Sequence, residues 1–116
     1  QTFTTQAAAP EATTDAAMGV ATTSATLNGT VNANNASATV TFEYGLTTAY
    51  GSMVTADQSP VMGISATIVS KEITGLLPNT TYHFRVVAVN AGGTTNGVDQ
   101  TFTTAPYAYY FPFVVR

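Results

Sequence analysis

The stretch LLPNTTYHFRVVAVNAGG, residues 76–93, decides the fold of this 116-residue chain. Within it the side chains alternate, so that Tyr82, Phe84, Val86 and Ala88 share one side. A period of two residues predicts a β-strand with one buried face. Proline before the strand and two glycines after it mark its ends, because proline cannot donate to a ladder and glycine accepts backbone angles that other residues resist.

The residues that lead into this strand follow the spacing L-x-P-x-T-x-Y, as Leu76, Pro78, Thr80 and Tyr82. This spacing resembles the turn before the sixth strand of fibronectin type III domains, and the continuation Y-x-F-R-V-x-A-x-N-x-x-G is similar to that strand. In the family the tyrosine hydroxyl bonds to the backbone across the turn, a tyrosine corner. The resemblance covers residues 10–105 and implies an all-β, seven-stranded, immunoglobulin-like sandwich.

The composition agrees with an all-β class and excludes several partners. Threonine is abundant, and its branched Cβ favours strands. Three basic residues against six acidic ones leave no basic surface for nucleic acid. No apolar run approaches the about 20 residues that span a bilayer, so no membrane insertion is expected. Without cysteine there is neither a disulfide framework nor a thiolate site.

Other alternating segments predict the remaining strands and the core. A change of parity between Ile68 and Val69 predicts a bulge or a tight turn there. The predicted strands lie within residues 11–23, 25–31, 40–44, 51–60, 64–73, 82–89 and 98–104. The predicted core consists of Leu27, Val31, Val40, Phe42, Tyr44, Ile64, Ile73, Leu76, Tyr82, Phe84, Val86, Ala88 and Phe102.

Both ends of the chain extend beyond this domain and are strand-like. The sequence QTFTT occupies residues 1–5 and again residues 100–104. We therefore interpret residues 1–9 as the last strand of a preceding repeat with its linker, and place the domain at residues 10–105. Residues 106–116 form an apolar and aromatic tail that carries a single charge. An exposed strand of this kind favours pairing with another chain.

The tail and the first residues are the candidate assembly elements. Addition of a terminal strand to a neighbouring subunit would use main-chain bonds and side-chain pockets, and an open head-to-tail repeat would build a fibre. In the alternative, the tail folds back on its own domain or is read by an export system. The candidate assembly residues are Phe3, Tyr107, Tyr109, Tyr110, Phe111, Phe113, Val114 and Val115.

Few residues could carry chemistry. His83 is the only histidine and faces outward, and the sequence suggests no acidic neighbour, so we interpret it as a surface residue and not a general base. Glu43 and Arg85 face outward on neighbouring strands and are predicted to form an ion pair. The dispersed acidic residues lack the spacing of a metal site, and no cofactor or enzymatic activity is expected.

Two kinds of carbohydrate contact are open. The glycosylation pattern N-x-[ST] occurs at Asn28, Asn35 and Asn79, with Asn35 the most accessible because it lies in a turn. Such matches also arise by chance in a chain rich in asparagine and threonine. A carbohydrate-binding surface would need an exposed aromatic platform, for which Tyr44, Tyr50 and Tyr107 are the candidates.

The resemblance implies a secreted or cell-surface module, since members of this family are mostly spacers, adhesion modules or parts of larger extracellular enzymes. We expect a non-enzymatic extracellular structural protein, a subunit or repeat of a surface filament that self-associates through its terminal strands. The alternative is an accessory or spacer module of a larger secreted enzyme or adhesin.

Overall fold

The computed structural model describes residues 8–106, which form two facing antiparallel sheets. The eight strands are β1 (Glu11–Met18), β2 (Ala25–Asn32), β3 (Thr39–Gly45), β4 (Ser52–Thr55), β5 (Thr67–Ile73), β6 (Thr81–Asn90), β7 (Gly93–Asn96) and β8 (Gln100–Thr103). One sheet has the order β1-β2-β5, and the other has the order β4-β3-β6-β7 with β8 also paired to β6. The predicted all-β sandwich is confirmed, with eight strands instead of seven.

The additional strand is β7, and a break separates it from β8, the strand predicted within residues 98–104. Both β7 and β8 pair with β6, and Gly97 lies between them. The Gly97 amide donates to the Val86 carbonyl oxygen at 2.7 Å. A Cβ at Gly97 would overlap Thr14 Oγ1. Glycine is therefore required here, because β1 approaches the break closely.

Thr14 on β1 closes the gap that this break leaves. The Val86 amide has no strand partner there and donates to Thr14 Oγ1 at 3.2 Å. Gln100 Nε2 donates to the Thr14 carbonyl oxygen at 3.4 Å. A buried amide left without a partner would cost about 1–3 kcal/mol. One side of the sandwich is thus closed by contacts of β1 with β6 and β8.

The core fills the space between the sheets, and most of the predicted core residues are buried in it. The Phe84 ring meets the Phe102 ring edge-on, with 5.9 Å between their centres. Two predicted core residues lie elsewhere. Tyr44 is half-buried and packs against the margin of the core, whereas Ile64 is 72% exposed.

The predicted bulge between Ile68 and Val69 is wrong. β5 pairs with β2 without a register shift along its whole length. The change of parity has another cause: Ile68 points outward opposite Thr30 and is 71% exposed. The register shift of this sheet lies in β1, between Asp15 and Met18.

The described chain enters the sandwich at one end and leaves it at the other. At the upper end, which holds the β2–β3 turn, Asn34 Nδ2 donates to the Ala9 carbonyl oxygen at 2.7 Å. At the lower end, which holds the β5–β6 turn, the Ala105 amide donates to the Ala21 carbonyl oxygen at 3.0 Å. Across residues 8–106 no helix is long and apolar enough to span a membrane.

Candidate functional site

The outer face of the five-stranded sheet carries a network of polar side chains. Glu43 on β3 lies directly opposite Arg85 on β6, and Arg85 Nε donates to Glu43 Oε1 at 2.8 Å. The predicted cross-strand ion pair is therefore confirmed. Because both side chains remain about 30% exposed, the pair contributes at most about 1 kcal/mol to stability.

Asp99 links two further side chains to this network. Its Oδ2 lies 2.8 Å from His83 Nδ1, and its Oδ1 accepts a 2.9 Å hydrogen bond from the Tyr50 hydroxyl. The interpretation of His83 as lacking an acidic neighbour is wrong. Asp99 reaches it because the segment between β7 and β8 folds over β6, which brings together residues 16 positions apart.

Arg85 also covers one face of the Tyr50 ring. The guanidinium carbon lies 4.9 Å from the ring centre, within the range of a cation–π contact. Gly45 lets the backbone of Tyr50 approach closely, since a Cβ at Gly45 would overlap the Tyr50 carbonyl oxygen. The Glu43–Arg85 ion pair, the His83–Asp99 hydrogen bond and Tyr50 therefore form one connected cluster, held by β3, β6 and the loops beside them.

An open depression of ≈ 490 Å³ lies next to this cluster. Its walls offer a guanidinium, a carboxylate, hydroxyls and a thioether, and the two opposite charges compensate each other. Within residues 8–106 there is no group of three or more metal-ligating side chains. The residues that line the depression are Glu43, Thr48, Ala49, Tyr50, Gly51, Ser52, Met53 and Arg85.

The chemistry of the cluster is limited by what surrounds His83. Asp99 orients the imidazole as a carboxylate does in a nucleophilic triad. A triad also needs a hydroxyl or thiol in hydrogen-bond reach of the imidazole. Among the hydrogen bonds of the described residues, His83 has only Asp99 as its side-chain partner. No hydroxyl or thiol among residues 8–106 is hydrogen-bonded to the imidazole.

The environment of Tyr50 makes a spectroscopic prediction. Burial, together with the hydrogen bond to the Asp99 carboxylate and its charge, raises the pKa of Tyr50 from an ordinary 10 to about 12. In an absorbance titration at 295 nm, the difference between the wild type and Tyr50→Phe is expected to rise with a midpoint near pH 12.

The same shift fixes the sign of the pH dependence of stability. Tyr50 is neutral in both states below pH 10, and between pH 10 and 12 the unfolded state loses the proton that the native state retains. Stability supplied by this group is therefore lost as pH rises through that window. The Tyr50→Phe variant is expected to lose less stability than the wild type over the same pH range. A difference titration centred on the ordinary value of 10 would contradict the assigned contacts.

The glycosylation candidates lie in different surroundings. Asn35 and Asn79 are exposed in turns, with φ of 65° and 51°. Asn28 lies inside β2, and its Nδ2 donates to the Ala16 carbonyl oxygen at 3.1 Å. The side-chain amides of the two turn residues are thus accessible, whereas the amide of Asn28 is engaged.

The residues of the tyrosine corner hold the β5–β6 turn at the lower end. The Leu77 amide donates to the Tyr82 hydroxyl oxygen at 2.9 Å. Thr80 Oγ1 donates to the Pro78 carbonyl oxygen at 2.8 Å, and Leu76 is buried beneath the turn. These residues hold the turn and do not line the depression beside Tyr50.

The remaining sequence candidates do not meet in one place. Tyr44 packs at the core margin, and Arg85 covers one face of the Tyr50 ring. The candidate platform residue Tyr107 lies outside the described part of the chain, and so do all the predicted assembly residues. The assembly residues are Phe3, Tyr107, Tyr109, Tyr110, Phe111, Phe113, Val114 and Val115.

No protein-family model and no curated protein matches the chain. Among solved structures, it is similar to the sensor domain of the anti-sigma factor RsgI4 of Pseudobacteroides cellulosolvens, in a short and a long form. The short form is 25% identical with a TM-score of 0.64, over 84% of this chain and 96% of that domain. The long form is 24% identical with a TM-score of 0.64, over 91% and 99%.

A second kind of similar structure is a computationally redesigned β-sandwich protein. It is 26% identical with a TM-score of 0.52, over 84% of this chain and 94% of that one. These likenesses agree with the two-sheet architecture. The chain therefore shares a small all-β sandwich fold with a sensor domain and with a designed protein.

Proposed function

We propose that this chain is a non-enzymatic, extracellular module of the fibronectin type III type that joins identical modules end to end as the subunit or repeat of a surface filament. The observation that carries this proposal is the placement of its two ends. The chain passes through Ala9 at the upper end of the sandwich and through Ala105 at its lower end.

A joint between the lower end of one copy and the upper end of the next uses two different surfaces. Such a contact is heterologous, and an unclosed series of these contacts gives a filament. Residues 107–116 continue from the lower end, and nine of these ten residues are apolar or aromatic. A surface of this kind is unfavourable in water, so cover by a neighbouring copy supports the assembly role.

The family and the location of the module have separate support. The strand order of the two sheets and the bond from the Leu77 amide to Tyr82 support a fibronectin type III relationship. The likeness to sensor domains of an anti-sigma factor supports a module placed outside the cell.

The second candidate function is an accessory or spacer module of a larger secreted protein. Its support is that the match covers 96% of a domain that belongs to a larger regulatory protein, so the fold serves as one unit among others. Ends at opposite poles also suit a module in the middle of a longer chain.

The two functions are separated by the oligomeric state of the full chain. We expect fibres in negative-stain microscopy and a sedimentation coefficient that rises with concentration. A variant in which serine replaces five aromatic residues keeps the length of the tail but removes its apolar surface. The replaced residues are Tyr107, Tyr109, Tyr110, Phe111 and Phe113. This variant is expected to stay monomeric with an unchanged circular dichroism spectrum.

Two results would contradict the filament. A full chain that sediments as a monomer at every concentration would favour the spacer module. A serine variant that still forms fibres would show that the tail is not the connector. As a matched control, Thr94, Thr101 and Thr103, which are exposed on β7 and β8, are replaced with serine and are expected to leave assembly unchanged.

A further inference from the structure

Three exposed apolar residues, Met62, Ile64 and Ile68, lie on the outer face of the three-stranded sheet and on the segment that leads from its upper end into β5. Their exposed fractions are 69%, 72% and 71%. Single exposed apolar side chains are common, whereas several within one short segment mark a contact surface. We call this set the outer patch.

The register of the sheet fixes where the outer patch lies. Ile68 is opposite Thr30 on the outward side of β2. Two residues further along β2, Asn32 Nδ2 donates to the Ile64 carbonyl oxygen at 3.0 Å. The carbonyl oxygen of Gly63 accepts from the Asn35 amide in the upper turn. The outer patch therefore extends from the upper end to the middle of this face.

Three carboxylates share the same face. Glu11 lies opposite Asn32, and Glu72 lies opposite Thr26. Asp15 accepts a 2.7 Å hydrogen bond from Thr30 Oγ1. Among residues 8–106 the ion pairs involve other acidic residues, so this face combines apolar side chains with uncompensated negative charge.

We propose that the outer patch is the docking site for residues 107–116 of a second copy of this chain. The inference rests on the filament proposed above and names the surface that accepts the tail. Tail and face are complementary, because nine apolar or aromatic residues meet the outer patch and the single charge of the tail, Arg116, meets the carboxylates.

Residues 107–116 are long enough to run the height of the face. Ten residues in an extended conformation span about 33 Å, and the eight residues of β2 span about 27 Å. When the lower end of one copy stands on the upper end of the next, the tail begins beside Met62 and Ile64. Its aromatic residues then cover the outer patch, and Arg116 arrives near Glu72.

The same geometry argues against docking of the tail on its own domain. A tail that turns upward from its own lower end meets Ser70 and Glu72 first, because these residues lie on the lower half of β5. Its first residues would then cover polar side chains and Met18, which lies opposite Thr26 and is 66% exposed, and only its last residues would reach the outer patch. A second copy reverses this order and places apolar surface on apolar surface.

The mode of docking also follows from β5. Its outer edge is occupied at the middle, since the Ser70 amide donates to Gln58 Oε1 at 2.7 Å and its carbonyl oxygen accepts from the Asp57 amide at 2.9 Å. A strand cannot extend the ladder past these bonds. The tail therefore packs its side chains across the face, in place of the strand addition that the sequence predicts.

Cysteine cross-linking tests the contact directly, because the chain contains no cysteine. Full chains with Ile68→Cys are mixed with full chains with Phe111→Cys and oxidised. A disulfide needs Cα atoms within about 7 Å, so docking is expected to raise the yield of the mixed dimer at least about tenfold over a control pair. The control is Met53→Cys, which is 65% exposed on β4 of the other sheet.

Two outcomes of the cross-linking overturn the proposal. Equal yields for Ile68→Cys and Met53→Cys mean that the tail has no preference for the outer patch. In a chain that carries both Ile68→Cys and Phe111→Cys, an internal disulfide that dominates at high dilution means that the tail docks on its own domain.

A charge substitution separates this proposal from the filament itself. Ile68→Lys places an ammonium group in the outer patch and is expected to abolish fibres, whereas Met53→Lys is expected to retain them. If fibres need the tail but survive Ile68→Lys, the docking site is wrong and the filament stands. If the unsubstituted full chain forms no fibres and cross-links no better than the control, both proposals fail.

Discussion

We expect Phe84→Ala to lower the free energy of unfolding by about 3–5 kcal/mol. The Phe84 side chain is fully buried and is among the largest in the core. Its removal leaves a cavity between the sheets and deletes the edge-on contact with Phe102. Small domains are stable by only about 5–15 kcal/mol, so the variant is expected to lose a large part of its stability.

Urea unfolding followed by circular dichroism measures this loss. The matched control is Met53→Ala, which removes an exposed apolar side chain and is expected to change stability by no more than about 0.5 kcal/mol. If Phe84→Ala cost no more than this control, the close packing described for the core would be wrong.

Gly97→Ala is expected to cost about 3 kcal/mol, from a single added methyl group. The new Cβ would overlap Thr14 Oγ1 and lie 2.9 Å from Val86 Cγ1. Overpacking of this kind costs about 1–3 kcal/mol, and displacement of Thr14 would also remove the hydrogen bond from the Val86 amide, for about 1–3 kcal/mol more.

The neighbouring residue provides the control for this substitution. Val98 is 67% exposed, so Val98→Ala is expected to stay within about 0.5 kcal/mol of the wild type in the same urea experiment. Amide hydrogen exchange at Val86 adds a local measure, since loss of its acceptor is expected to speed exchange there. Unchanged exchange at Val86 in Gly97→Ala would contradict the role given to Thr14.

The strands were predictable where one face is buried and the other is exposed to solvent. In β6 the alternation from Tyr82 to Ala88 reports burial directly, because successive side chains of a strand point to opposite faces. The break between β7 and β8 was not predictable in this way. It depends on Gly97 meeting Thr14, which lies far away in the sequence.

The misplacement of Ile64 and the wrong bulge have one cause. Apolar side chains at Ile64 and Ile68 match the pattern of a buried face, although both are exposed. Periodicity assumes that apolar residues point to the core of their own domain. It fails for a surface whose apolar residues serve another contact, which is the role that we propose for the outer patch.

The polar cluster was only half predictable. Glu43 and Arg85 occupy outward-facing positions in the alternation of neighbouring strands, so their pairing follows from the strand order. Asp99 lies in the segment between two strands, where no periodicity applies. A signal was nevertheless present: once β8 is paired with β6, Thr101 lies opposite His83, and Asp99 must then lie two residues further along the same edge.

The opposite placement of the two ends has a mechanical consequence. A tensile load applied near Ala9 and Ala105 runs along β1, which starts at the upper end, and along β8, which ends at the lower end. Hydrogen bonds of antiparallel pairs are perpendicular to the strands, so the load shears them together and does not unzip them one by one. The module is thereby suited to transmit tension between whatever is fastened at its two poles.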